Sequence, residues 1–91
     1  MSAGVSSSIF DKLESTLGKK LLVVLDKDFG FEGALTALSK EPPGIWLSDA
    51  DAVVLRATIA NPVPQIIGRE DKSEIFIHLN SVLRIEVPHS K

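Results

Sequence analysis

The chain has 91 residues, which sets it as one domain. A domain of this size buries only about 60–65% of its unfolded surface, so pairing with other chains would add to its stability. The 44% apolar content excludes a wholly disordered chain, and the lack of cysteine excludes a disulfide framework, a thiolate zinc site and a cysteine nucleophile. No run of about 18 apolar residues is present, which excludes a transmembrane helix. The net charge of −2 and pI near 5.6 count against a generic nucleic-acid coat, for which a basic domain is the usual footprint. They leave room for a local pocket that holds a few single-stranded bases, because stacking needs no net charge.

The opening MSAGVSSS lacks the charged-then-apolar order of a signal peptide and reads as a flexible tail over 1–7; the expected location is cytoplasmic. Ile9, Phe10, Leu13 and Leu17 fall on one helical stripe. Ser7 or Ser8 can cap it, Asp11 and Glu14 lie near the positive end of the dipole, and Gly18 is a natural stop. The spacing predicts a helix over 8–17. Leu21–Leu25, LLVVL, reads as a strand buried on both faces. Asp26–Gly30 carries the polar and glycine content of a hairpin turn, and a second strand follows over Phe31–Leu38. Gly33 inside it marks a sharp bend or a close backbone approach. Glu41-Pro42-Pro43-Gly44 ends that strand, with Pro-Gly suited to a type II turn. Ile45-Trp46-Leu47 and Val53–Ile59 are strand-like, and Asp49–Ala52 between them is either a bulge in one long strand or a turn between two. Asn61–Ser73, with two prolines, a glycine and a charged tip, reads as the longest loop, though Gln65-Ile66-Ile67 could extend a strand.

Ile75–Val87, IFIHLNSVLRIEV, holds two apolar runs that meet at a polar kink. Ile75, Ile77 and Leu79 share one face, with Phe76 and His78 on the other. Leu83, Ile85 and Val87 share a face opposite Arg84 and Glu86. That period of two is the mark of half-buried strands. Pro88–Lys91 is a tail. One helix followed by short strands at this spacing indicates an all-β small barrel, with the barrel strands lying within 20–87.

The corner Phe76-Ile77-His78-Leu79-Asn80-Ser81-Val82 resembles the second signature of the Sm-like family of ring-forming RNA-binding barrels, which carries an apolar pair, then Arg-Gly-Asn, then a small and a β-branched residue. His78 and Leu79 stand at the Arg and Gly positions; Asn80 matches. Leu17-Gly18-Lys19 with Leu21, Val23 and Leu25, then Gly30, Phe31, Gly33 and Leu35, then Ile45–Ala50, resemble the first signature in order and spacing. The resemblance covers Leu13 to Val87. It implies an N-terminal helix on a strongly bent five-stranded antiparallel barrel. It also implies a homo-oligomeric ring of five to eight copies, strand four of one pairing with strand five of the next. Ile75, Phe76, Ile77, Val82, Leu83 and Ile85 would then form the subunit interface. Edges this apolar need a cap or a partner, and a closed ring removes them.

The family's base pocket is largely rewritten. Its Asp and Asn positions in the loop after strand two fall on Ser39 and Gly44, with one extra residue between. The RNA-binding expectation therefore rests on His78, Asn80, Ser39 and Gly44. His78 can stack on a base or donate to a phosphate, or it can simply bond a carbonyl at an interface. Asn80 can read a base edge or cap the kink through local backbone. Ser39 offers one contact where a carboxylate would grip two donors, and the turn alone accounts for Gly44. Trp46, the only tryptophan, reads as core or interface packing before it reads as a base platform. Arg84 could pair with an acid of the next subunit or line the pore side. An enzyme is not expected: no phosphate loop, zincin motif or nucleophile elbow is present, and His78 and His89 are far apart. Neither a cofactor nor a metal is expected, and Asp49 and Asp51 read as solvated acids. Two functions follow: a ring that binds single-stranded RNA, U-rich by resemblance, or a ring that serves as a protein scaffold after losing RNA binding. A small-ligand barrel is the residual class.

Overall fold

A computed structural model describes residues 7–60 and 62–88; Asn61, the first six residues and the last three, with His89, lie outside it. Helix α1 spans Ser7–Glu14. Phe10 and Leu13 are its buried face, and Thr16 in the following turn continues it, its hydroxyl donating to the Leu13 carbonyl at 2.7 Å. The helix is shorter than the predicted 8–17. Thr16 and Leu17 N–H groups reach back only three residues, to Leu13 and Glu14, which tightens the last turn. Gly18 at φ +86° then ends it, as its position predicted. Ile9 and Leu17 stay near half exposed, so the buried stripe is narrower than expected.

Five antiparallel strands follow: β1 (Lys20–Asp26), β2 (Phe29–Lys40), β3 (Pro43–Arg56), β4 (Gln65–His78) and β5 (Arg84–Glu86), with a 3-10 turn at Leu79–Ser81. They form one sheet in the order β4-β3-β2-β1-β5. The expected fold class, an N-terminal helix on a bent five-stranded antiparallel sheet, is what the chain adopts. β1 is buried on both faces, as its apolar run required. Leu21 and Val23 join Leu35, Ile45 and Leu47 in the main core, while Val24 packs with Val53 and Leu55 in a second cluster. Leu13 of α1 belongs to the main core, so the helix covers an end of the barrel.

Irregularities in the long strands gather around Gly33, Asp49 and Ser73. At Gly33 of β2 a Cβ would meet Ala50 Cα at 2.9 Å and the Ser48 carbonyl oxygen at 3.0 Å, both on β3. Opposite, β3 is bulged: Asp49 takes φ +51°, and Ser73 on β4, near the paired Ala50, takes φ +65°. Bulges raise local twist and bend the strand. Asp49–Ala52 is therefore a bulge within one 14-residue strand, not a turn.

Three expectations are corrected. The stretch read as a loop over Asn61–Ser73 is mostly strand: β4 starts at Gln65 and pairs with β3 through Asp71 and beyond. Its charged residues hid it, because this half of β4 buries little and lacks apolar alternation. The hairpin between β2 and β3 turns on Glu41 and Pro42, across a cis peptide bond, instead of on Pro43-Gly44. The final strand is only three residues long, and Leu83 lies outside it, 64% exposed.

Among the described residues β4 and β5 do not pair with each other, so the sheet ends on two open edges. No helix of the described chain is long and apolar enough to cross a membrane.

Candidate nucleic-acid interface

Strand register places three of the four predicted site residues in one row. Ser39 of β2 pairs with Gly44 of β3, and Gly44 pairs with His78 of β4. Asn80 follows two residues later, exposed in the 3-10 turn. The row is not an open cleft. Ser39 Oγ donates to the Pro42 carbonyl at 2.7 Å and is engaged in holding the hairpin. Gly44 is buried under Phe76: a Cβ there would overlap the ring and come within 2.8 Å of the Ile77 carbonyl oxygen. Glycine is required for that close approach, and it offers a ligand nothing.

His78 and Asn80 differ from these two. Both are exposed, and among the described residues neither side chain makes a hydrogen bond. The kink is closed by backbone alone, Val82 N–H donating to Leu79 O at 3.2 Å, so Asn80 does not cap it. The imidazole of His78 stands edge-on to Phe76 at 5.1 Å and 81°. Phe76 in turn packs on Trp46, its register partner on β3, at 5.1 Å and 51°. Trp46 is 40% exposed. Three aromatic side chains thus form a continuous row on the outer face of β3 and β4, running into the corner that carries Asn80.

This row is the part that sequence reasoning missed. Alternation did place Phe76 and His78 on one face, but Trp46 reads as core packing until the β3–β4 register sets it beside Phe76. The predicted interface residues also divide. Ile77 is 5% exposed and belongs to the main core, and Ile75, Val82 and Ile85 pack half-buried against it. Phe76 is in the aromatic row, and Leu83 points to solvent. What β4 and β5 present at their edges is backbone, with the side chains of this set mostly turned into the barrel.

Many of the cations near the sheet have partners. Arg69 on β4 lies 2.6 Å from Glu32 on β2 and 3.1 Å from Asp51 on β3. Glu32 first, then Asp51, raises the guanidinium pKa above its ordinary value, against the opposing effect of burial. Arg84 pairs with Glu86 on its own strand at 2.7 Å, and Lys40 Nζ sits 5.9 Å over the Phe10 ring. A separate apolar groove of about 420 Å³ lies between α1 and the β5 corner, lined by Ile9, Leu13, Val82, Ile85 and Val87 among others.

No protein-family model matches the chain, and none of the curated proteins does. Solved structures do. An Sm protein of Pyrococcus abyssi, determined in complex with a uridine heptamer, is 26% identical; the match covers 87% of this chain and 96% of that one, with a TM-score of 0.59. The SmAP1 heptamer of Pyrobaculum aerophilum is 17% identical over 94% of this chain and 100% of that one, with a TM-score of 0.66. A chain of the NatC complex bound to CoA is 18% identical over 84% of this chain and 83% of that one, with a TM-score of 0.54. The fold of this chain is Sm-like.

Proposed function

We propose, from the Sm-like fold, that copies of this chain join edge to edge, β4 of one to β5 of the next, into a closed homo-oligomeric ring that binds single-stranded RNA at its corners. The observation that carries the reading is the open sheet. β4 is a 14-residue edge, β5 is the other edge, and no described segment covers either. Unpaired edges of this kind invite strand addition, and a rotation that closes gives a ring without fibre growth. His78 and Asn80 would serve RNA, since both are exposed beside an edge and hold unused hydrogen-bonding groups. The uridine heptamer bound by the P. abyssi protein supports a U-rich preference. The ring acts by binding, not by catalysis, and a cytoplasmic location goes with a chain that carries no cysteine.

A protein-scaffold ring is the second reading, and specific observations favour it. Ser39 is engaged, Gly44 is filled, His78 and Leu79 replace the family's Arg and Gly, and the chain is net acidic.

Two measurements test these readings. Native mass spectrometry across protein concentrations should give one closed species of five to eight copies. β5 spans Arg84–Glu86, and by antiparallel alternation the N–H groups of Ile85 and Glu86 face opposite sides, one toward β1 and one toward the open edge. Ile85→Pro and Glu86→Pro, made singly, remove one donor on each side, and the variant that loses the outward one should shift the mass to smaller species; an unchanged ring mass in both would reject β5 as the joining edge. Anisotropy of labelled oligouridine, with oligoadenine as control, separates the functions: saturable binding weakened by His78→Ala supports RNA, and silence with both oligomers at low salt leaves the scaffold.

A further inference from the structure

We propose that the outer-face row Trp46–Phe76–His78 is a stacking platform for successive bases of the single strand, completed in the ring by Arg84 of the next copy. This rests on the RNA reading above and extends it from a corner contact to a path across the sheet.

The argument begins with the faces of the strands. Ile75 and Ile77 of β4 turn into the core, so Phe76 and His78 turn outward. Ile85 of β5 packs on the core, so Arg84 and Glu86 turn outward. When β5 of one copy extends the sheet at β4 of another, core faces must align with core faces, and the outer faces then align too. Neighbouring strands lie about 4.8 Å apart. Arg84 of the next copy therefore comes to the same surface as the aromatic row, where no cation of the row's own strand segment stands, and a phosphate there takes the place of Glu86, which holds Arg84 at 2.7 Å in the free chain.

The row suits bases better than an aliphatic partner surface. Its rings follow one another at 5.1 Å and 5.1 Å, and Trp46 and His78 are both exposed. Thr36 and Ser48 hydroxyls border it, 3.5 Å from each other, with Thr36 Oγ1 donating to the Trp46 carbonyl. Aromatic side chains on a sheet face accept any base through its π-face, while the unbonded groups of His78 and Asn80 can reach base edges. Alternation puts Glu74 on the same face beyond Phe76, and its charge repels phosphate. The strand would leave the platform at the His78 and Asn80 end, toward Arg84 of the next copy.

Trp46 is the only tryptophan, so its emission reports on the platform without a label. The intact protein is titrated with oligouridine while Trp46 fluorescence and the anisotropy of labelled RNA are followed together. Saturable quenching with the same midpoint as the anisotropy rise is expected. Trp46→Ala should weaken binding by roughly 5- to 150-fold, the range for losing one stacked base. Trp46→Phe should stay within a few-fold of the parent, with ring mass unchanged in both. Arg84→Ala should reduce the salt slope by about 0.7, one phosphate contact. If RNA binds while Trp46 emission is unmoved and the Trp46 variants bind like the parent, the platform is overturned and the corner reading survives. If no RNA binds at low salt, both fall, and the row is left as a protein-docking face. Should Trp46→Ala fail to assemble, the parent's quenching and Trp46→Phe decide the matter.

Discussion

Gly33→Ala tests the physical basis of the bend. The added methyl would meet Ala50 Cα at 2.9 Å, the Ser48 carbonyl oxygen at 3.0 Å and Ala50 Cβ at 3.1 Å. Two of these three atoms are backbone, and they belong to the bulge where Asp49 already takes φ +51°. No side chain can rotate away, so β2 must lift from β3 or the bulge must open. Overpacking of this kind costs about 1–3 kcal/mol. With m near 1 kcal/mol/M for a chain this small, the urea midpoint should fall by about 1–3 M. Trp46 fluorescence follows the transition, at one fixed protomer concentration because assembly adds to apparent stability. Gly68→Ala on β4 is the control. Its Cβ would lie 3.8 Å from Val54, ordinary contact, so it should be neutral or more stable by up to about 1 kcal/mol, as alanine is less costly to order than glycine. Equal midpoints for the two variants would refute the claim that close approach at Gly33 sets the bend.

Leu35→Ala empties a fully buried position in the main core and should cost about 2–5 kcal/mol by urea unfolding. Arg69→Ala leaves Glu32, 9% exposed, without its cation and should cost about 1–3 kcal/mol, whereas Lys72→Ala, from an exposed pair with Glu70, should stay within about 0.5 kcal/mol. Because the folded pKa of Arg69 is raised, its contribution is complete below the ordinary arginine range and is lost only as pH rises beyond it, so the cost of Arg69→Ala should be constant from pH 6 to 9 as far as Arg69 is concerned. Asn80→Ala should leave stability within about 0.5 kcal/mol, since its side chain bonds nothing among the described residues, and should weaken oligouridine binding; a large loss of stability instead would restore a capping role.

The strands whose faces are unequal were legible in the sequence. LLVVL could only be buried, Ile75 and Ile77 could only face inward together, and Gly18 and Gly33 announced a stop and a bend before either was seen. β4 was half hidden for the opposite reason. Gly68 to Ser73 sits at an edge, buries little, and so carries no apolar alternation to read. The corner residues show the same division. All four were named by their positions in the family's signatures; His78 and Asn80 are exposed, while Ser39 and Gly44 are engaged by the hairpin and by Phe76.

Local chemistry, then, determined from sequence alone where the chain bends and which strands are buried, and the resemblance of its signatures implied an Sm-like barrel. Only tertiary structure decided which strands stand at the edges and which side chains meet across them. Trp46 and Phe76 are 30 residues apart in sequence and become neighbours only through the β3–β4 register. Periodicity within one strand orients a side chain, but it carries no information on which residue of another strand will lie beside it.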